Sequence, residues 1–139
     1  MNKKGFTLVE VLAVIVIIGI LGTIAFVSTT AVSKKNKEKI YNSKVDSIEL
    51  AAVNYIQENK NVFDTSHNCI FFNVAFLIDQ GYLKKDNDNC GDEIRCIEDP
   101  RAKGEYLDYY FIKIILENYK YKATMTKNRP SSSTCKRIN

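Results

Sequence analysis

The stretch KKGFTLVEVLAVIVIIGILGTIAFV, Lys3 to Val27, decides how this chain is built. From Phe6 to Val27 only Thr7, Glu10, Gly19, Gly22 and Thr23 are not plainly apolar, and Glu10 alone is charged. About 20 apolar residues cross a bilayer as one helix, so the run reads as a membrane span. An ionised carboxylate within a span costs on the order of a few kcal/mol, less near the interface where Glu10 would lie. Such a group needs a partner or a role.

The flanks narrow the choice. A secretory signal has a basic start, an apolar core of about 7–15 residues and a small-residue cleavage site. Here MNKK is basic, but the apolar run is longer and no A-x-A-like site follows. A plain signal-anchor fits the hydropathy and leaves Glu10 unexplained. With two lysines before it and an apolar run after it, Gly5-Phe6-Thr7-Leu8-Val9-Glu10 resembles the class III prepilin signal of type IV pilins and pseudopilins. The resemblance implies cleavage between Gly5 and Phe6 by a prepilin peptidase on the cytoplasmic side, and N-methylation of Phe6. It gives Glu10 a task in assembly, neutralising the N-terminal amine of a neighbouring subunit. The partners implied are other pilin subunits in a homo- or hetero-polymer, an assembly platform protein with its ATPase, and the membrane. The implied location is the cell membrane, single-pass with the N-terminus cytoplasmic and the head extracellular, and then a surface filament. Counting charges does not orient the span, because Lys34, Lys35, Lys37 and Lys39 beyond it, set against Glu38, balance Lys3, Lys4 and the amine before it.

Beyond the span, Tyr41, Val45, Ile48, Ala52 and Tyr55 recur at helical spacing, and no proline or glycine interrupts Thr23 to Lys60. A continuous helix from about Phe6 to Asn59 follows, its second half offering an apolar stripe. Gly19 and Gly22 stand in its first half, either for close helix packing or as a weak point where the helix melts on assembly. The expected fold class is α+β: a long N-terminal helix packed against a small antiparallel sheet, as in type IV pilins. The expected divisions are a leader at 1–5, a membrane or filament-core half at 6–27, an amphipathic half at 28–60, and a small globular head at 61–139.

The head carries Cys69, Cys90, Cys96 and Cys135. Four cysteines in a small exported domain point to two disulfides, with three connectivities open. The CIFFNVAFLIDQGYLKK segment reads as a short helix with Phe71, Val74 and Leu77 or Ile78 inward, closed by Gly81 as a left-handed cap. Tyr110 to Leu116 and Tyr119 to Met125 alternate as a hairpin. A two-residue turn at Glu117-Asn118 would pair Leu116 with Tyr119 and Ile114 with Tyr121, and set Lys113 across from Lys122. The apolar face of this hairpin is expected to cover the Tyr41 to Tyr55 stripe.

Other chemistries fit poorly. Asp86, Asp88 and Gly91 match three positions of an EF-hand loop, but Cys90 and Ile97 stand where oxygen ligands are needed. No C-x-x-C pair accompanies the single His67, and no nucleophile, base or phosphate loop appears, so neither metal, cofactor nor enzyme activity is expected. Tyr119 to Lys122, with Lys127, Arg129, Lys136 and Arg137, could touch DNA chemically. A formal net charge of +4 favours a solvated strand face instead. The reading that emerges is a structural filament subunit serving adhesion, motility, DNA uptake or protein secretion. The alternative is a single-pass anchored extracellular binding domain that does not polymerise.

Overall fold

The computed structural model describes residues 7–63, 67, 69–86 and 97–138, and gives backbone alone for 22–30. The readings on Gly5, Phe6, Asp88, Cys90, Gly91 and Cys96, and on the surroundings of Gly22, lie outside the described residues. The chain divides into two compact units, residues 1–38 and 39–139.

Helix α1 runs from Leu8 to Glu58, 51 residues, in keeping with the absence of proline throughout this segment. In the second unit it buries Ile48, Ala51, Ala52, Tyr55 and Ile56. The sheet supplies the facing residues Ile70, Phe72, Ile112, Ile114 and Ala123 of the same core. The hairpin does therefore cover the helical stripe, with its centre shifted towards Tyr55. That ring meets Phe72, Phe76 and Tyr82 edge-on at 5.7, 5.2 and 5.3 Å between centroids. Edge-to-face geometry of this kind adds about 1 kcal/mol per pair beyond area burial.

The sheet has four strands, β1 (Cys69–Asn73), β2 (Phe111–Glu117), β3 (Lys120–Thr126) and β4 (Cys135–Arg137), in the order β3-β2-β1-β4. It corrects the sequence reading in three places. Cys69–Asn73 is a central strand, and the helix α2 is confined to Val74–Asp79. Cys69 to Phe72 are all buried, so both faces are apolar, and a strand buried on both sides has no alternation to separate it from a helix. Asn73 marks the true helix start: its side chain accepts from the Phe76 N–H at 3.1 Å. Gly81 does cap α2 at φ 79°, with Tyr82 N–H on Leu77 O at 2.9 Å and Gly81 N–H on Ile78 O at 3.0 Å, a Schellman closure.

Second, the sheet is mixed. β1 pairs antiparallel with β2, but β4 lies parallel to β1, Cys69 opposite Cys135. A parallel neighbour needs a crossover, and residues 127–134 provide it, carrying Arg129 over the Phe71 ring.

Third, the hairpin register is shifted by two: Leu116 pairs with Tyr121, Ile114 with Ala123 and Ile112 with Met125. The turn is Asn118-Tyr119, at φ 51° and 60°. Two left-handed residues define the type I′ turn that matches strand twist, and asparagine tolerates that region. A shift of two preserves every residue's face, which is why the apolar pattern could not detect it. The shift replaces the expected Lys113–Lys122 opposition by Lys113–Thr124, and sets Glu117 across from Lys120.

Tyr119 is 99 % exposed, so its side chain offers little packing to offset the left-handed backbone. Tyr119→Gly is expected to stabilise the head by about 1 kcal/mol. A raised urea midpoint checks this, and a lowered one would show that the ring makes contacts that matter. At the β3 edge, a Glu49 carboxylate oxygen accepts the Met125 N–H at 2.8 Å, occupying a donor that an open edge would leave to another chain.

The loop at 97–108 is tied down by charge. Arg101 holds Asp99 through Nη2–Oδ2 at 2.7 Å and Nε–Oδ1 at 3.0 Å, and its guanidinium lies 3.2 Å from the Tyr41 ring centroid. Lys44 pairs with Asp86 and donates to the Glu98 carbonyl at 2.9 Å. The side-chain bond from Arg101 holds the Asp99 carboxyl below the usual carboxylate range, against the opposing effect of burial. A depressed carboxyl contributes stability that is fully present above its unfolded value and is lost as pH falls through the folded one. The urea midpoint should therefore drop as pH falls below about 4, and more steeply than in Arg101→Ala, where this contribution is already missing. Parallel pH profiles for the two proteins would refute the assignment.

Candidate functional site

The first unit is the helix from Leu8 onward. Leu8, Val9, Val11, Leu12, Val14, Ile15, Val16, Ile17, Ile18, Ile20 and Leu21 are 49–79 % exposed. A helix that exposes apolar side chains on all sides is unsuited to water and belongs in lipid or among other helices. Among the described residues, no helix is long and apolar enough to cross a membrane. The described side chains of the run end at Leu21, so its remainder lies outside this statement.

Glu10 stands in the first turn of this helix, and its partner is local. Its carboxylate accepts from the Thr7 N–H at 3.3 Å and from Thr7 Oγ1 at 3.2 Å, while its own N–H donates to Thr7 Oγ1 at 3.4 Å. This is a capping box, with threonine at the N-cap and glutamate three residues on. It satisfies donors that a helix start otherwise leaves open, and places the negative charge at the positive end of the helix dipole. The sequence reading found Glu10 but missed Thr7. The signal was there, because T-x-x-E ahead of an apolar run is the motif for this cap. Both groups are exposed, so the carboxylate can exchange its local donors for a stronger cationic one.

Gly19 has nothing within 4 Å of where a Cβ would stand. Among the described residues, then, no close approach requires a glycine there. Cys69 and Cys135 form a disulfide, with Cα atoms 4.6 Å apart at a sequence separation of 66. They lie at 4 % and 1 % exposure beside Phe71, Phe111 and Ile115, in a second, smaller core on the sheet face away from α1. This bond pins the three-residue β4 to the central strand. If all four thiols are oxidised, it leaves Cys90 and Cys96 to one another, and a non-reducing peptide map should show both pairs.

Residues 1–26 match the family described as "Prokaryotic N-terminal methylation motif". The chain is similar to the "Competence protein ComGC" of Bacillus subtilis (strain 168), 34 % identical over 86 residues, which cover 62 % of this chain and 80 % of the relative. It is also similar to the "ComG operon protein 3 homolog" of Bacillus licheniformis, 32 % identical over 85 residues, 61 % of this chain and 79 % of that one. No solved structure matches.

Proposed function

The chain belongs to the type IV pilin and pseudopilin family, and on that premise we propose that it is the structural subunit of a competence-type pseudopilus. Members of this family are building blocks, not enzymes. The proposed path begins with insertion as a single-pass prepilin whose N-terminus is cytoplasmic. A prepilin peptidase then cuts after Gly5 and the Phe6 amine is methylated. The subunit next leaves the membrane, with an assembly platform and its ATPase, so that the 6–27 segments of successive subunits pack as the filament core. Residues 28–60 and 61–139 would form the stalk helix and the exposed head. DNA as cargo belongs to this reading through the competence named for the Bacillus subtilis relative; adhesion, motility and secretion are named for neither relative.

One observation carries the proposal: the continuous exposed apolar surface from Leu8 to Leu21, interrupted only by a capped Glu10. Cleavage would leave a cationic amine on Phe6, and opposite charges brought together in a low-dielectric filament core attract strongly. Both Thr7 bonds fall on Oε2 of Glu10, so the carboxylate of one subunit can accept the amine of the next through Oε1 as well as in exchange for Thr7. A charge-assisted bond is stronger than a neutral one and favours assembly.

The test is the N-terminal sequence and intact mass of the protein taken from its membrane. A start at methylated Phe6 is the expected result. A start at Met1 in cells with an active prepilin peptidase would favour the anchored, non-polymerising binding domain instead.

A further inference from the structure

The tip of the β2–β3 hairpin carries a bare aromatic ring. Tyr119 is fully exposed, and its backbone sits at φ 60°. An aromatic residue is uncommon in that region, where glycine fits without strain. A strained residue whose side chain has so little contact within its own head points to a use outside it. Leu116, half-exposed and paired with Tyr121, adds apolar surface at the same tip.

The same unit holds an open cavity that fits such a ring. It measures about 260 Å³, and Ile40, Ile48, Leu83 and Ile97 give it apolar walls. About 150 Å³ of apolar cavity suffices to take up a benzene ring, so a phenol can enter with room for its oxygen. A buried tyrosine hydroxyl needs a hydrogen-bond partner, and the hydroxyls of Ser43 and Ser47 in the lining can supply one. The charges are complementary as well. Lys84 lines the cavity and Glu117 stands two residues before Tyr119. Among the described residues neither of them is in an ion pair, although Glu117 is in register with Lys120. The other charged groups of the lining, Lys44 and Asp86, are paired with one another.

Tyr119 cannot fill the cavity of its own chain. Along β3 the Met125 N–H meets Glu49 of α1, and the Tyr121 ring meets Phe63 beyond the end of α1. The hairpin tip therefore lies towards the C-terminal end of α1, with Tyr119 beyond Tyr121. The cavity takes its α1 residues from Ile40 to Ile48, on the other side of Glu49. From Lys44 to Glu58, where α1 ends, is about 20 Å along the helix. Knob and cavity thus occupy opposite ends of the head, and a contact between such unlike patches on two copies is heterologous. Repeated without closure it builds an open filament rather than a dimer.

We propose that Tyr119 of one head inserts into the Ile40–Leu83 cavity of the head of a second copy, with Glu117 against that copy's Lys84. The inference rests on the filament reading and adds to it a contact between heads. The test uses the full chain in cells that assemble it, with p-benzoylphenylalanine placed at residue 119. Irradiated filaments should yield a dimer that survives reduction, linked from residue 119 to residues 40–48 or 83–84 of the second copy. Tyr119→Ala should lower the amount of sheared filament on the order of tenfold, with a urea midpoint no lower than that of wild type. Tyr119→Phe keeps the ring and should retain most of the filament. Glu117→Lys and Lys84→Glu should each weaken assembly and the double variant should recover it, a rescue that damage to the fold would not give. Phe6 processing and filament formation by wild type score the filament reading separately. Filaments whose cross-links fall elsewhere, Tyr119→Ala with wild-type amounts of filament, or a double charge variant no better than either single one would overturn the head contact and leave the filament reading standing. Wild type that is unprocessed at Phe6 and forms no filament would overturn both.

Discussion

Glu10→Ala is expected to leave cleavage and methylation of Phe6 intact while reducing filament assembly to a small fraction of the wild-type level. In the proposed filament the change removes the acceptor for the amine of the adjacent subunit, and a buried amine left without a counter-charge is strongly destabilising, on the order of 3–5 kcal/mol for a broken buried pair. It also removes half of the capping box, a loss of about 1 kcal/mol at the helix start. Two further variants separate these effects. Thr7→Ala removes the hydroxyl of the same cap but leaves the carboxylate, so it should fray the helix start and preserve much of the assembly. Glu10→Gln keeps an acceptor of nearly the same shape without the charge, and should assemble poorly. The measurement is sheared filament per cell, scored beside the N-terminal sequence of the membrane pool. Wild-type amounts of filament from Glu10→Ala would mean that the charge pair does not drive docking.

Removing the disulfide has the second large effect. Cys69 and Cys135 close a loop of 66 residues, and chain-entropy reasoning assigns such a bond about 4 kcal/mol. That is a large share of the roughly 5–15 kcal/mol available to a small domain. The double variant Cys69→Ser/Cys135→Ser should lower the urea midpoint of the head accordingly and release β4, which has only three residues of pairing to hold it. Hydrogen exchange at Cys135 to Arg137 should then approach that of an unstructured tail, while Ile112 and Ile114 stay protected. A loss under about 1 kcal/mol would show that the crossover at 127–134 holds the strand without the bond.

Both expectations rest on features visible in the chain to different degrees. Glu10 was evident because a single charge in an apolar run departs from the solvent's demands at one residue. Cys135 was visible as one of four cysteines expected to pair, yet its partner was one of three. Pairing depends on which strand lies beside β4, and the residues between 69 and 135 do not encode that locally.

What the sequence alone determined about this protein is what depends on short-range pattern. The apolar run, the unbroken helical spacing through Tyr55, the glycine cap at Gly81 and the alternation of β2 and β3 all follow from residue type and period. The tertiary structure decided the rest. It made Cys69–Asn73 a strand, because a segment buried on both faces shows no period of its own. It chose the Asn118-Tyr119 turn over its neighbour, because a shift of two leaves the apolar face unchanged and only backbone twist distinguishes the two. It also placed Lys113, Arg129 and Arg137 around one buried phenylalanine, because strand order brings together residues that lie far apart along the chain.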